Sequence, residues 1–271
     1  MEKVLILGIS GLVGKALYRE LHDDYDVYGT YHTSKIDKLK EKIYKLDLNE
    51  PSCIKEILNN VKPKIIISCL RGDFDKQLDT HKVAAEYCME NKGKLYFCST
   101  VNVFDNDPSK ANYEGDPTNP ESDYGKYKVN CEVELKRILE DDAVIFRLPM
   151  ILGKDSPRFN SWMDSLNKGL ELEVYSNLYI TSITDVMLAK QIHYIIKNDL
   201  KGVFHLATDD IMNQIDFMLQ LCEKLGYKNV KFKEMQAGEG KYYLAVLSNR
   251  DDLPRELRMS HEDVISYLVS E

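Results

Sequence analysis

Tyr124-Gly125-Lys126-Tyr127-Lys128 sets a phenol and an ammonium four residues apart at the opening of a helical pattern. Residues four apart share a helix face, so both side chains can reach one reacting centre. A positive charge beside a phenol favours the phenolate, which predicts a Tyr124 pKa below its ordinary value of about 10. Such a phenol can pass a proton to or from an alcohol or sugar oxygen near neutral pH. Upstream, the apolar run Leu95–Cys98 delivers Ser99-Thr100, 24 residues before Tyr124, where a hydroxyl can hold a carbonyl oxygen. In a chain with 17 tyrosines this spacing alone also fits a solvated helix face. Its company gives it weight.

Gly8-Ile9-Ser10-Gly11-Leu12-Val13-Gly14 follows a strand-like run and opens a helix. Lacking Cβ atoms, such a turn lets the backbone approach a pyrophosphate at the positive helix end. The spacing is G-x-x-G-x-x-G rather than G-x-G-x-x-G, and an ordinary strand-to-helix turn is the competing reading. Placed between the right elements, Gly8, Ser10, Gly11, Leu12, Val13 and Gly14 read as a dinucleotide cradle. Lys128 could then also hydrogen-bond the nicotinamide ribose, beside Tyr124.

An NAD site normally ends its second strand with an acid that accepts from the ribose 2′-hydroxyl. This chain has Tyr31-His32-Thr33-Ser34-Lys35 there. Tyr31, His32 and Lys35 suit a 2′-phosphate, so NADP is expected in preference to NAD; solvated loop residues are the alternative. Asp47, followed by Leu48, can accept from an adenine amino group or serve as a loop acid. Cys69, Leu70 and Arg71 leave a further strand where its backbone should line the same crevice.

These residues need a scaffold. Strands are expected at Lys3–Gly8, Asp26–Tyr31, Lys64–Cys69, Lys94–Ser99 and Ala143–Leu148, with helices near Gly14–His22, Ser52–Asn60, Asp75–Asn91 and Ser122–Glu140. Continuously apolar runs such as Ile65-Ile66-Ile67 suit strands covered on both faces. The alternation predicts an α/β, Rossmann-type doubly wound parallel sheet, with ligands at the carboxyl ends of its strands. Residues 1–150 form this nucleotide-binding core. Residues 151–271 form a smaller substrate lobe that shares the core, mixing short elements through Gly202–Ala207 and Ile211–Leu225 and ending in a helix from His261 to Val269 capped by Ser260.

Composition narrows the function. The 271 residues carry 36 Lys+Arg against 44 Asp+Glu, a net charge of −8, which argues against nucleic acid as a partner. No apolar run approaches the ~20 residues needed to span a bilayer. The six cysteines show no C-x-x-C pair, and several sit in apolar strand-like runs, as reduced thiols do, so a cytoplasmic protein is expected. The six histidines are scattered without ligand spacing, and no metal site is expected.

Together, Gly8/Gly11/Gly14, Ser99-Thr100-x-x-Val103-Phe104, Pro120-x-x-x-Tyr124-Gly125-x-x-Lys128-x-x-x-Glu132, Arg147-Leu148-Pro149-x-x-x-Gly153 and Gly202-Val203-Phe204-His205-Leu206 resemble an extended short-chain dehydrogenase/reductase. Within that group they are similar to the dTDP-4-dehydrorhamnose reductase branch. The resemblance spans most of the chain and is weakest beyond residue 210. It implies a triad of Thr100, Tyr124 and Lys128, NAD(P) on the glycine turn, and a nucleotide sugar held by the C-terminal lobe. The branch usually reads Ser-Thr-Asp-Tyr-Val-Phe, whereas Val101 and Asn102 follow Thr100 here, and Arg71 and Asp73 replace a run of small residues.

The substrate is therefore expected to touch Thr100, Val101 and Asn102. Arg147 and Arg158 can each grip a diphosphate bidentately, Arg147 equally well forming a buried structural pair. Trp162 can stack on a base or simply pack. The expected activity is NADP-dependent reduction of a 4-keto nucleotide sugar. Alternatives are an epimerase or dehydratase of the superfamily, the latter disfavoured by Val101 where its acid would stand, and a non-enzymatic NADP-binding regulatory subunit. A homodimer is compatible with all of them.

Overall fold

Aliphatic and aromatic runs assemble into fourteen strands and eight α-helices in a computed structural model that describes residues 1–33 and 41–270. The strands are β1 (Lys3–Leu7), β2 (Asp26–Tyr31), β3 (Ile43–Lys45), β4 (Ile65–Ser68), β5 (Lys94–Thr100), β6 (Ala143–Leu148), β7 (Met150–Leu152), β8 (Leu172–Tyr175), β9 (Leu178–Ile180), β10 (Ser182–Thr184), β11 (Val203–His205), β12 (Met212–Asn213), β13 (Phe232–Met235) and β14 (Tyr242–Leu244). The helices are α1 (Leu12–Leu21), α2 (Pro51–Val61), α3 (Phe74–Asn91), α4 (Asp123–Leu139), α5 (Pro157–Asn167), α6 (Asp185–Lys197), α7 (Gln214–Lys224) and α8 (His261–Val269).

Seven strands form one parallel sheet in the order β11-β6-β5-β4-β1-β2-β3. Successive side chains of a strand point to opposite faces. In β1, Val4 and Ile6 accordingly join the core beneath α1 and α6, while Leu5 and Leu7 join the core beneath α2, α3 and α4. β5 divides likewise, Tyr96 and Cys98 on one side, Leu95 and Phe97 on the other. Both faces are covered, as the continuous apolar runs require. Chain order reverses between β1 and β4, and ligands bind doubly wound sheets outside such a reversal.

The short β3 at the sheet edge, of which only Ile43 is buried, has no clear announcement in the sequence pattern. β11 and α6, both beyond residue 150, complete the main sheet and pack on α1, so the C-terminal segment shares the main core. The rest of that segment builds small sheets, β10-β7, β12-β9-β14 and β13-β8, at the carboxyl edge of the main one. Helix α8 begins at the predicted place, with Ser260 and Asp263 forming a capping box. No helix among the described residues is long and apolar enough to cross a membrane.

Beneath the sheet's carboxyl edge, His81 of α3 is fully buried, its Nε2 2.6 Å from Ser68 Oγ and its ring edge-on to Phe97. Burial and the nearby Lys128 charge push its pKa down to about 3 from 6.5. The native chain thus keeps His81 neutral at pH values where the unfolded chain protonates it, so stability is full above pH 6.5 and drains as pH falls toward 3. At about 1.4 kcal/mol per pH unit, roughly 2 kcal/mol should be lost by pH 5. Burial lowers His205 and His261 too, in the same direction. Urea unfolding at pH 7 and pH 5 checks this; equal stabilities would show that His81 takes up its proton in the native state.

Candidate active site

A cleft of about 1070 Å³ opens over the carboxyl ends of β1, β2, β4 and β5 and is roofed by the C-terminal segment. On one side stands the glycine turn. Gly14 packs so tightly that a Cβ there would lie 2.3 Å from Gly8 O, which draws α1 against the end of β1. Gly11 caps α1 without any side-chain hydrogen bond, and no acid stands in the first turn, so the first amides of the helix have no side-chain partner. Ser10, Gly11, Leu12, Val13 and Gly14 all line the cleft.

Across the floor, β5 ends in Ser99 and Thr100, both nearly fully buried. Thr100 Oγ1 accepts from Asn102 N at 3.3 Å, capping the 3₁₀ turn Val101–Phe104, and donates to Asn102 Oδ1 at 3.0 Å. Asn102 Nδ2 donates to Asp105 Oδ2 at 3.3 Å. Asp105 also accepts from the Glu121 amide at 2.6 Å and from Ser122, tying this turn to the start of α4. Ser122 accepts from Gly125 N at 3.0 Å as the N-cap. A Cβ on Gly125 would fall 2.3 Å from Asn102 O, so glycine permits the approach that sets Tyr124 beside Thr100.

Tyr124, Lys128, Thr100, Val101 and Asn102 line one wall of the cleft together. Lys128 is 5% exposed; its Nζ donates to Cys98 O at 2.7 Å and lies 4.5 Å from the centre of the Phe97 ring and 5.8 Å from that of Tyr124. Burial lowers the Lys128 pKa. The Tyr124 pKa is raised by desolvation, although the Arg71 charge and a hydrogen bond with Thr100 pull it down in part. This corrects the expectation of a depressed Tyr124. Spacing shows which charges can come near, but not how much water is excluded.

Behind this wall Ser99 Oγ donates to Glu132 Oε1 at 2.5 Å, and Arg147 grips Glu132 through Nε at 3.2 Å and Nη2 at 2.8 Å. Both partners are almost completely buried, and the guanidinium stacks 5.0 Å from the centre of the Phe104 ring. Arg147 is therefore a structural anchor beneath the cleft, not a ligand arm, and its expected role toward a diphosphate is withdrawn. Trp162 faces the core and packs on Phe217 at 6.4 Å, outside the cleft lining, so base stacking is withdrawn too.

The remaining candidates gather as expected. Gly8, Tyr31, His32, Asp47, Leu48, Cys69, Leu70, Arg71 and Arg158 all line the cleft; Lys35 lies outside the described residues. Asp47 Oδ1 accepts from the backbone and side chain of Asn49 at 2.9 and 2.8 Å, holding that loop in shape and lowering its own pKa. Sequence reasoning missed Lys15 and Arg19, which line the cleft from α1. Their i, i+4 spacing just after Gly14 was an available signal. It also missed Ser156, Asp185 and Gln214, which remote segments bring to the roof and no local pattern announces. No group of three or more His, Cys, Asp or Glu among the described residues could hold a metal ion.

Comparison with known proteins agrees with this architecture. Residues 72–244 match the RmlD substrate binding domain. A probable low-salt glycan biosynthesis reductase of Haloferax volcanii is 24% identical over 240 residues, 82% of this chain and 79% of that protein. Methionine adenosyltransferase 2 subunit beta of Danio rerio is 22% identical over 265 residues, 88% of this chain and 80% of that one. Among solved structures, dTDP-4-dehydrorhamnose reductase of Bacillus anthracis in complex with NADP superposes with a TM-score of 0.82 at 21% identity, covering 98% of this chain and 97% of that one.

Proposed function

The chain belongs to the RmlD substrate binding domain family, and from that premise we propose that it is an NADPH-preferring reductase of a 4-keto nucleotide sugar. The observation that carries the reading is the cleft itself, where an uncapped helix N-terminus and a Thr100–Tyr124–Lys128 wall face one space. The glycine turn fits a dinucleotide pyrophosphate because its free amides point positive charge at an anion. His32, Lys15 and Arg19 suit a 2′-phosphate.

NADPH held on the glycine turn would supply the hydride for a carbonyl carbon. Tyr124 gives its hydroxyl proton to the carbonyl oxygen, and Thr100 orients that oxygen. A proton donor must be protonated before it acts, and a phenol with an ordinary pKa of about 10, raised here rather than lowered, is protonated at neutral pH. Lys128, held by Cys98 O, fixes the ribose side of the wall and stabilises the phenolate left after transfer. Asn102 holds the Thr100 hydroxyl in place. If the cofactor reading is right, NADPH binds more tightly than NADH in fluorescence titrations; equal affinities or a preference for NADH would remove the 2′-phosphate argument.

Of the two arginines expected to grip a diphosphate, Arg158 remains, exposed and lining the cleft. Binding energy gained away from the reacting carbonyl is uniform binding, so Arg158→Ala should raise KM while leaving kcat nearly intact. Steady-state kinetics on a nucleotide-linked keto sugar reads the split; a silent variant would move the phosphate contact elsewhere.

A second reading has an observation in its favour. The chain departs from the reductase pattern at Val101-Asn102, and methionine adenosyltransferase 2 subunit beta is among its relatives, which supports a non-enzymatic NADP-binding regulatory role. NADPH binding without turnover of any keto sugar would favour that role.

A further inference from the structure

Two cysteines occupy the cleft floor. Cys69 follows β4 and Cys98 sits within β5, and the pairing of Ser68 with Phe97 places them side by side on adjacent parallel strands. Both side chains turn to the α1/α6 face, where their Sγ atoms stand 3.7 Å apart. Both residues line the cleft, Cys69 partly exposed and Cys98 8% exposed. The other four cysteines lie outside that lining.

We propose that Cys69 and Cys98 form a reversible disulfide that switches the site off, a modification by peroxide-class two-electron oxidants. The Sγ atoms need to close only from 3.7 Å to about 2.05 Å. The Cys98 sulfur attacks the peroxide, one water leaves, and Cys98 becomes a sulfenic acid. The Cys69 thiol then attacks that sulfur, a second water leaves, and the disulfide remains. The two sulfurs together lose two electrons, and the peroxide gains them. Cys98 is the attacking thiol because Lys128 Nζ is held 2.7 Å from its own carbonyl oxygen, and a positive charge that close favours a thiolate.

The consequence follows from what each cysteine carries. Cys98 O is the acceptor that holds Lys128 Nζ, and Thr100 lies two residues further on. Cys69 N donates to Leu7 O at 2.9 Å, next to the glycine turn. Closing the bond draws together the floor beneath both halves of the proposed site. Misplacing reacting groups by an ångström can cost on the order of 100-fold in rate.

The test treats the full chain with hydrogen peroxide and maps the products by peptide mass spectrometry, without any nucleotide. The expected product is a Cys69–Cys98 linked peptide pair lighter by two hydrogens and reversed by dithiothreitol. The activity consequence rests on the reductase reading. Peroxide should lower NADPH turnover by roughly tenfold or more, and dithiothreitol should restore it. Cys98→Ser should keep its own untreated rate under the same dose. Sulfinic acid at either residue, or links through other cysteines, would overturn the proposal even if activity falls. If that variant does not fold, the peptide map of the parent chain still decides. The crosslink forms whether or not the chain binds NADPH, so a protein that crosslinks yet reduces no sugar counts against the reductase reading, not against the thiol pair.

Discussion

Tyr124→Phe should lower turnover by at least about 100-fold, the size of a lost acid–base group, with NADPH affinity almost unchanged. The ring remains to pack near Phe74, whose centroid lies 5.9 Å away, so the wall of the cleft should keep its shape. Only the hydroxyl is lost. A proton must then reach the carbonyl oxygen from water, which is a poorer and unpositioned acid. Single-turnover rates together with NADPH titration separate the two effects. A variant that keeps most of its rate would make another group the donor and break the proposed triad at its centre.

Arg147→Ala should cost about 3–5 kcal/mol of stability, because it strands the Glu132 carboxylate in a dry interior. Typical domains hold only about 5–15 kcal/mol in total. The variant should therefore unfold at much lower urea, and with Ser99 and α4 loosened it should lose activity as well. Arg147→Lys should rescue only in part, since an ammonium cannot reproduce the two-pronged grip on Glu132. A loss under about 1 kcal/mol, as for an exposed pair, would mean that water reaches Glu132 and that the anchor is weaker than its burial implies.

Much of the scaffold could be read before any coordinates. β2 and β6 span the predicted residues, because apolar and β-branched runs between turn residues leave little freedom in a covered parallel sheet. The glycine turn and the Thr100, Tyr124 and Lys128 positions were legible for the same reason: local chemistry at fixed offsets from predictable elements. What escaped was set by distant contacts. Nothing near Arg147 in sequence says that Glu132, 15 residues earlier, will face it in the core. The direction of the Tyr124 shift depends on how the folded chain packs around it, with Phe74 of α3 beside its ring, and β3 is too short to carry a pattern of its own. The roof residues Asp185 and Gln214 reach the cleft only through the tertiary fold.

The central claim is reduction of a nucleotide-linked ketone at this cleft. The direct measurement is NADPH oxidation, followed by its absorbance, across a panel of 4-keto nucleotide sugars with the matching free keto sugars as controls. The account predicts turnover of at least one nucleotide-linked member, abolished by Tyr124→Phe, with the free sugars poor substrates. Turnover of free sugars as fast as nucleotide-linked ones, or no turnover of any member by a chain that binds NADPH, would contradict it.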